Sequence, residues 1–187
     1  MKACTRKRAC KPKLICRKSE IRCGKTRLKW VTLGDRNRET KNNGEIYVKI
    51  NQTFTHPKMH QPSPPNGIFQ YDVTVLELDE CVDLKPHIRI VCLPDHNMET
   101  YEGETVNVIG WGHLAYKDSD DPSAGKYSAI LQEITIRVFS NEECEKRSSV
   151  FNSEFIICAG NDFHWREDAC QGDSGGNCYF DNFNIPW

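Results

Sequence analysis

The stretch Gly172-Asp173-Ser174-Gly175-Gly176 holds the residues of this sequence that are best suited to chemistry. A serine hydroxyl attacks a carbonyl when it is exposed and when nearby backbone N–H groups can hold the oxyanion that forms. Glycines on both sides let the backbone turn tightly and bring those N–H groups close to a substrate. The stretch therefore predicts a serine nucleophile, although a plain glycine-rich loop explains the same residues on chemistry alone.

Short strands separated by turns must position this serine. Apolar residues alternate with polar ones at a period near two, or form short runs bounded by turn residues, which is typical of β-strands. The predicted strands are residues 30–33, 45–55, 73–78, 106–109, 134–138 and 155–158. One short helix is predicted where Ser140-Asn141-Glu142-Glu143 has the spacing of a capping box. Many short strands with almost no helix indicate an all-β antiparallel barrel or sandwich.

The charge of the chain is divided unevenly along its length. Residues 1–30 contain 12 Lys and Arg against one acid, Glu20, while the rest contains 13 Lys and Arg against 25 Asp and Glu. This asymmetry is typical of a basic arm on an acidic domain, so we predict a segment at 1–29 and a domain at 30–187. By charge alone, nucleic acid, heparin or an anionic membrane could bind such an arm. We expect an anionic glycan and no nucleic acid, and a solvated tail or propeptide is the simpler interpretation.

The ten cysteines indicate disulfides and an oxidising, extracellular compartment. The first residues lead into no apolar run, so no signal peptide is expected, and no run reaches the about 18 apolar residues of a membrane span. Cys4, Cys10, Cys16 and Cys23 are separated by five, five and six residues. Structural zinc sites usually place paired ligands closer together, so disulfides or free thiols are expected here and not zinc. We expect no metal and no cofactor.

The nucleophile stretch resembles that of the chymotrypsin-like serine proteases, and the preceding Asp168-Ala169-Cys170-Gln171 resembles the trypsin-like subgroup. Further segments resemble family landmarks in the expected order. They are Val31-Thr32-Leu33-Gly34-Asp35, Phe54-Thr55-His56-Pro57, Tyr71-Asp72-Val73-Thr74-Val75-Leu76, Val91-Cys92-Leu93-Pro94, Gly110-Trp111-Gly112 and Cys158-Ala159-Gly160. The resemblance implies a chymotrypsin-like double antiparallel β-barrel, with the first barrel lacking its opening strands and the second truncated.

The resemblance also implies roles for individual residues. Ser174 would be the nucleophile, and the N–H groups of Gly172 and Ser174 would form the oxyanion hole. Asp72 would orient the catalytic histidine. Asp168 would lie at the bottom of the specificity pocket and select Arg or Lys of a protein substrate by charge pairing. The activity implied is endopeptidase cleavage after Arg or Lys.

The sequence departs from the family where the general base should be. The family's Ala-Ala-His-Cys motif should precede Trp30, and the sequence does not contain it. The histidines present are His56, His60, His87, His96, His113 and His164. Each is expected to be a surface histidine, and His60, the nearest to Asp72 in sequence on its N-terminal side, is the least implausible substitute.

The family's activated N-terminus is also missing. In the family, an Ile-Val-Gly-Gly-type N-terminus pairs its ammonium with the aspartate beside the nucleophile, which is Asp173 here. With no such motif in the sequence, we expect an unpaired Asp173 carboxylate, a relaxed loop and a collapsed oxyanion hole.

The cysteines and one sequon complete the expectations. The resemblance implies a disulfide between Cys144 and Cys158 and a second between Cys23 and Cys92. Cys170 is left to pair with Cys178 or to stay free, and the pairing of Cys4, Cys10, Cys16 and Cys81 stays open. Asn51-Gln52-Thr53 is a glycosylation acceptor pattern, meaningful in a secreted chain.

Three functional hypotheses follow. The first is a trypsin-like serine endopeptidase that is inactive in this chain because its histidine is missing. The second is a non-catalytic protease homologue that binds a partner. The third is an incomplete gene product or splice form with no separate role.

Overall fold

The computed structural model describes residues 8–9, 13–16, 29–41, 44–59, 70–91, 101–116, 120–149, 151–161 and 168–180, with backbone only for the first two ranges. The chain divides into two compact units. The first is built mainly from Met1–Met59 and Asp72–Met98, and the second from His60–Tyr71 and Glu99–Pro186. Among the described residues, every strand ladder is antiparallel and no helix is long and apolar enough to cross a membrane.

The first unit is built on a four-stranded sheet. Its order is β2-β5-β4-β3, where β2 is Lys13–Cys16, β3 is Trp30–Leu33, β4 is Ile46–Thr55 and β5 is Thr74–Leu78. A smaller pair joins β1, Arg8–Ala9, to β6, Val82–Asp83. Two strands of this unit therefore come from residues 1–29, and the boundary at residue 30 stays a prediction.

The core of the first unit forms because alternate strand residues point to one face. Val48, Leu78, Val82 and Ile88 are buried, and partly buried side chains of β3 and β4 pack against them. Burying each such side chain stabilises the fold by about 1.5–3 kcal/mol before entropy is counted.

The second unit is built on another four-stranded sheet, and a loop of this unit contains the candidate nucleophile Ser174. The order is β10-β7-β8-β9, where β7 is Thr105–Gly110, β8 is Gln132–Val138, β9 is Ala159–Gly160 and β10 is Cys178–Phe180. The hydrophobic core of this sheet consists of Val106, Val108, Ile136 and Val138. The loop with Ser174 runs into β10, so the pairing of β10 with β7 fixes one end of that loop.

The predicted helix is confirmed as α1, Asn141–Arg147. Ser140 accepts a hydrogen bond from the Glu143 N–H, and the Glu143 side chain accepts one from the Ser140 N–H, which completes the capping box. Acidic side chains in the first turn and basic ones in the last complement the helix dipole.

Five of the six predicted strands are confirmed within two residues, and one is wrong. Residues 155–158 form no strand, because the N–H groups of Phe155 and Ile156 both donate to the Asn152 carbonyl and close a turn. The strand begins only at Ala159, after the Cys158 carbonyl accepts from the Phe139 N–H. A short apolar run does not distinguish a strand from a turn that packs apolar side chains.

The predicted disulfide between Cys144 and Cys158 is confirmed. It links α1 to the residue before β9, with the two Cα atoms 6.1 Å apart and 14 residues of separation along the chain. Cys144 is fully buried. The bond therefore ties the helix to the edge of the second sheet.

Removing this disulfide should lower the free energy of unfolding of the second unit by about 3 kcal/mol, because the open chain regains the entropy of a loop of this length. The measurement is urea unfolding of the full chain with both cysteines changed to alanine. Cys170→Ala is the matched control, because the Cys170 thiol is free. Equal unfolding midpoints for the double variant and the control would contradict the prediction.

Candidate active site

Two glycines in left-handed backbone conformation shape the loop that holds Ser174. Gly172 has φ +99° and Gly175 has φ +79°, a region that side chains other than glycine rarely adopt. The Asp173 N–H donates to the Cys170 carbonyl at 3.0 Å, and the Gly176 N–H donates to the Asp173 carbonyl at 2.8 Å. These bonds close two consecutive turns and leave Ser174 exposed at the second.

The carboxylate of Asp173 is paired, contrary to the expectation from the sequence. Its Oδ1 accepts from the Gly112 N–H at 2.6 Å and its Oδ2 from the Cys170 N–H at 2.9 Å. Hydrogen bonds to an ionised group are stronger than neutral ones, so two backbone donors stabilise this half-buried charge. The prediction of an unpaired Asp173 is therefore wrong, because these N–H groups lie where they can bind the carboxylate.

The glycines of Gly110-Trp111-Gly112 make room for that carboxylate. A Cβ on Gly112 would lie 2.5 Å from the Asp173 Oδ1, and one on Gly110 would lie 2.8 Å from its Cγ. Real Cβ atoms essentially never approach other atoms within 3.0 Å. Both positions must therefore be glycine for Asp173 to reach the Gly112 N–H.

Two further residues brace the start of the nucleophile loop, and the sequence pattern does not predict either. The His113 N–H donates to the Gln171 carbonyl at 2.9 Å, and the His113 and Tyr127 rings meet edge to face, with centroids 4.2 Å apart. The Tyr127 ring lies against Gly172, since a Cβ there would be 2.7 Å from its Cε1. No sequence pattern around Tyr127 predicts this role. The residue is identified only by its contact with Gly172 in the folded structure.

The backbone donors proposed for the oxyanion hole are the N–H groups of Gly172 and Ser174. Within the described residues, the N–H groups of Gly172 and Ser174 make no hydrogen bond to a protein acceptor. An oxyanion hole requires donors that are held in place and are free to bind the oxyanion. Two turns and the Asp173 anchor fix the backbone around these donors, and their role as an oxyanion hole stays a prediction.

A small cleft of about 120 Å³ opens beside the Asp173 anchor. Its walls include Val108 and the glycines at 110 and 112, and three carboxylates line it: Glu133, Asp168 and Asp173. Asp168 is exposed, and its Oδ1 accepts from the neighbouring Ala169 N–H at 2.7 Å. The site is thus acidic in character; among the residues that the structure describes, no group of His, Cys, Asp and Glu is arranged to hold a metal ion.

The family model named Trypsin matches residues 22–182. The chain belongs to the trypsin family. The fold agrees with that assignment, because the two four-stranded antiparallel sheets match the chymotrypsin-like double β-barrel. A solved structure of neuropsin, a serine protease of mouse brain, has a TM-score of 0.73 with this trypsin-family chain at 22% identity, covering 92% of this chain and 69% of that one.

Curated relatives give the same picture of this trypsin-family chain. Vitamin K-dependent protein C of Oryctolagus cuniculus is 31% identical over 151 residues, which cover 79% of this chain and 31% of that protein. Phenoloxidase-activating factor 1 of Holotrichia diomphalia is 32% identical over 134 residues, which cover 70% of this chain and 33% of that protein. The chain thus spans about a third of the length of these relatives.

Asp72, the proposed triad aspartate of the trypsin family, lies in the first unit just before β5. It is half-buried and follows Tyr71, which has the unusual φ of 56° for a residue other than glycine. The adjoining strand is well fixed, because Thr74 is buried and its hydroxyl lies 3.2 Å from that of Thr55. The position at a strand start is as predicted from the sequence, and the catalytic role stays a prediction.

The three histidines that the structure describes, His56, His87 and His113, contact Lys58, Gly44 and Tyr127, respectively. The His56 Nδ1 accepts from the Lys58 N–H at 3.1 Å, and the His87 Nε2 lies 2.9 Å from the Gly44 carbonyl oxygen. His113 packs edge to face on Tyr127 as described above. His60, His96 and His164 lie outside the described residues, so His60 as a substitute base stays a prediction.

The trypsin-family cysteines are described in part. Cys170 is a half-buried free thiol, so of the two alternatives for this residue the structure shows the free one. The proposed bridge between Cys23 and Cys92 lies outside the described residues, as do Cys4 and Cys10.

Proposed function

We propose that this chain carries a trypsin-like serine endopeptidase site, directed at Arg or Lys in a protein substrate, that has lost efficient turnover because Ser174 has no general base. The observation that carries the proposal is the geometry of the nucleophile loop: Ser174 is exposed between two left-handed glycines and Asp173 is anchored by two backbone donors. The loop is therefore preserved in form, while the sequence lacks the Ala-Ala-His-Cys motif.

The chemistry of acyl transfer needs both the nucleophile loop and a general base. The Ser174 Oγ must lose its proton as it attacks the scissile carbonyl, and the oxygen of that carbonyl gains negative charge as the tetrahedral intermediate forms. The N–H groups of Gly172 and Ser174 would stabilise the oxyanion. With no imidazole to take the proton, the hydroxyl attacks as a weak nucleophile and the leaving amine receives no proton from the enzyme.

The substrate class rests on Asp168. Its carboxylate is exposed at an acidic cleft, where Glu133 and Asp173 add negative charge. A guanidinium or ammonium group is the side chain that such a surface attracts, through charge-assisted hydrogen bonds. Binding of a basic side chain does not need the missing histidine, so recognition would persist without turnover. The Cys144–Cys158 disulfide supports an extracellular location.

The experiment that tests this proposal is hydrolysis of Arg and Lys peptide substrates by the full chain, compared with its Ser174→Ala variant. Hydrolysis that depends on Ser174 at a rate ordinary for the family would overturn the loss of turnover. A rate that is unchanged by the substitution supports it.

A second function, as a binding protein, is favoured by the charge of the N-terminal residues. Residues 1–30 contain 12 Lys and Arg and only one acidic residue. This excess of positive charge can attract an anionic glycan. We therefore expect the full chain to bind a heparin column and to elute as salt rises, because screening weakens the attraction.

The matched control for the heparin experiment changes Lys and Arg outside residues 1–30. Replacing Lys126 and Lys146, which are both exposed, should leave the eluting salt concentration nearly unchanged. Replacing two lysines within residues 1–30 should lower it. Equal effects of the two replacements would contradict a glycan site in the basic segment.

A further inference from the structure

The sequence contains a single acceptor pattern for N-linked glycosylation, Asn51-Gln52-Thr53. The structure places it on β4, at an irregularity in the pairing with β5. Ile50 pairs with Leu78 and Gln52 pairs with Glu77, so Asn51 is the extra residue of a β-bulge. A bulge releases one residue from the ladder and re-aims its side chain.

The surface around Asn51 is open. From Ile46 to Ile50 the strand alternates between covered and exposed side chains, whereas the next four residues, 51–54, are all exposed. An oligosaccharide is bulky and strongly hydrated, so it requires a position from which it extends into water without displacing the core. The buried side chains nearest along the strand, such as Val48, precede the bulge.

The hydrogen bond of Asn51 is compatible with a sugar on the same nitrogen. The Asn51 Nδ2 donates to the Glu77 Oε1 at 2.9 Å. A primary amide nitrogen has two hydrogens, and glycosylation replaces one of them. The remaining N–H can still donate to Glu77, so the modified residue keeps its contact with β5.

We propose that Asn51 is an N-glycosylation site of this chain. The donor is a lipid diphosphate-linked oligosaccharide. The Asn51 Nδ2 forms a bond to the anomeric carbon, the bond from that carbon to the diphosphate oxygen breaks, the lipid diphosphate leaves with the electron pair, and the amide loses one proton. The same oxidising secretory compartment that forms the Cys144–Cys158 disulfide holds this donor. The proposal rests on the extracellular location proposed above and does not depend on the proposed protease activity.

The test is translation of the full chain behind a cleavable leader in the presence of microsomes, scored on the protease-protected product. The expected result is one glycan-sized step in mobility that peptide-N-glycosidase removes, leaving aspartate at position 51. Asn51→Gln and Thr53→Ala should each abolish the step. Thr53→Ser, which keeps the hydroxyl, and Glu77→Gln, which removes the charge but keeps an oxygen acceptor for Asn51, should each retain it.

Two results would overturn the proposal. One is a protected wild-type product that migrates with the Asn51→Gln variant. The other is a step that persists in both Asn51→Gln and Thr53→Ala, which would place the modification elsewhere. Because addition precedes folding, a variant that folds poorly still reports on the site.

Discussion

The full chain should hydrolyse an Arg or Lys amide substrate roughly 10⁶-fold more slowly than a trypsin with an intact triad, by comparison with a dissected serine protease. The loss follows from the proposed function: the sequence has no Ala-Ala-His-Cys motif whose imidazole would accept the proton of the Ser174 hydroxyl. Because a nucleophile and its base act as a unit, removing the serine as well should cost little more. Ser174→Ala should therefore leave the residual rate nearly unchanged.

The measurement is release of a fluorescent amine from such substrates, with the Ser174→Ala variant purified in parallel. Labelling by a fluorophosphonate gives an independent readout, because it reports the nucleophilicity of Ser174 directly. We expect no labelling that depends on Ser174. Labelling that disappears in Ser174→Ala would show that another residue activates the hydroxyl, and His60 would then be the first to be replaced.

The second large effect concerns the Asp173 anchor. Asp173→Ala should lower the free energy of unfolding by about 3–5 kcal/mol, because it removes two hydrogen bonds to a charged group and leaves the N–H groups of Gly112 and Cys170 without their acceptor. Gly110→Ala should cost about 1–3 kcal/mol by overpacking, because its Cβ would lie 2.8 Å from the Asp173 Cγ. Urea unfolding of the full chain measures both.

The effects of Gly110→Ala and Asp173→Ala on the free energy of unfolding should not add. This coupling distinguishes a direct contact between the two side chains from two unrelated losses of stability. In the double variant the methyl group added at position 110 no longer meets a carboxylate. The double variant should therefore be only slightly less stable than the Asp173→Ala variant. Gly103→Ala is the control: Gly103 has φ +79° but nothing within 4 Å of its added Cβ, so only backbone strain of about 1 kcal/mol is expected. Strict additivity of Gly110→Ala and Asp173→Ala would show that the side chains do not meet as described.

The parts that the sequence predicts well are those specified by local rules. The capping box of α1 needs only Ser140 and Glu143 at the right spacing, and the strand at residues 30–33 ends at Gly34, whose φ of +73° suits glycine alone. The landmark residues around Ser174 also carry enough specific pattern to identify the trypsin family. In each case the physical cause lies within a few residues of its effect.

The parts that the sequence does not predict depend on contacts between distant segments. The donors to Asp173 include the N–H of Gly112, which is 61 residues away in the chain. Tyr127 reaches Gly172 only through the fold, and β2 pairs with β5 although the two are far apart in sequence. Backbone donors leave no trace in side-chain chemistry, so a carboxylate expected to be unpaired is paired in the structure.

Asp173 is bound by main-chain donors and not by side-chain donors, and this affects which sequence changes the site tolerates. A side-chain partner disappears with one codon change, whereas a peptide N–H is present in every residue type except proline. Position 170 can therefore accept nearly any substitution and still supply its donor, while position 112 is restricted by the lack of space for a Cβ. A nucleophile loop held in this way can therefore keep its shape while the side chain at position 170 changes.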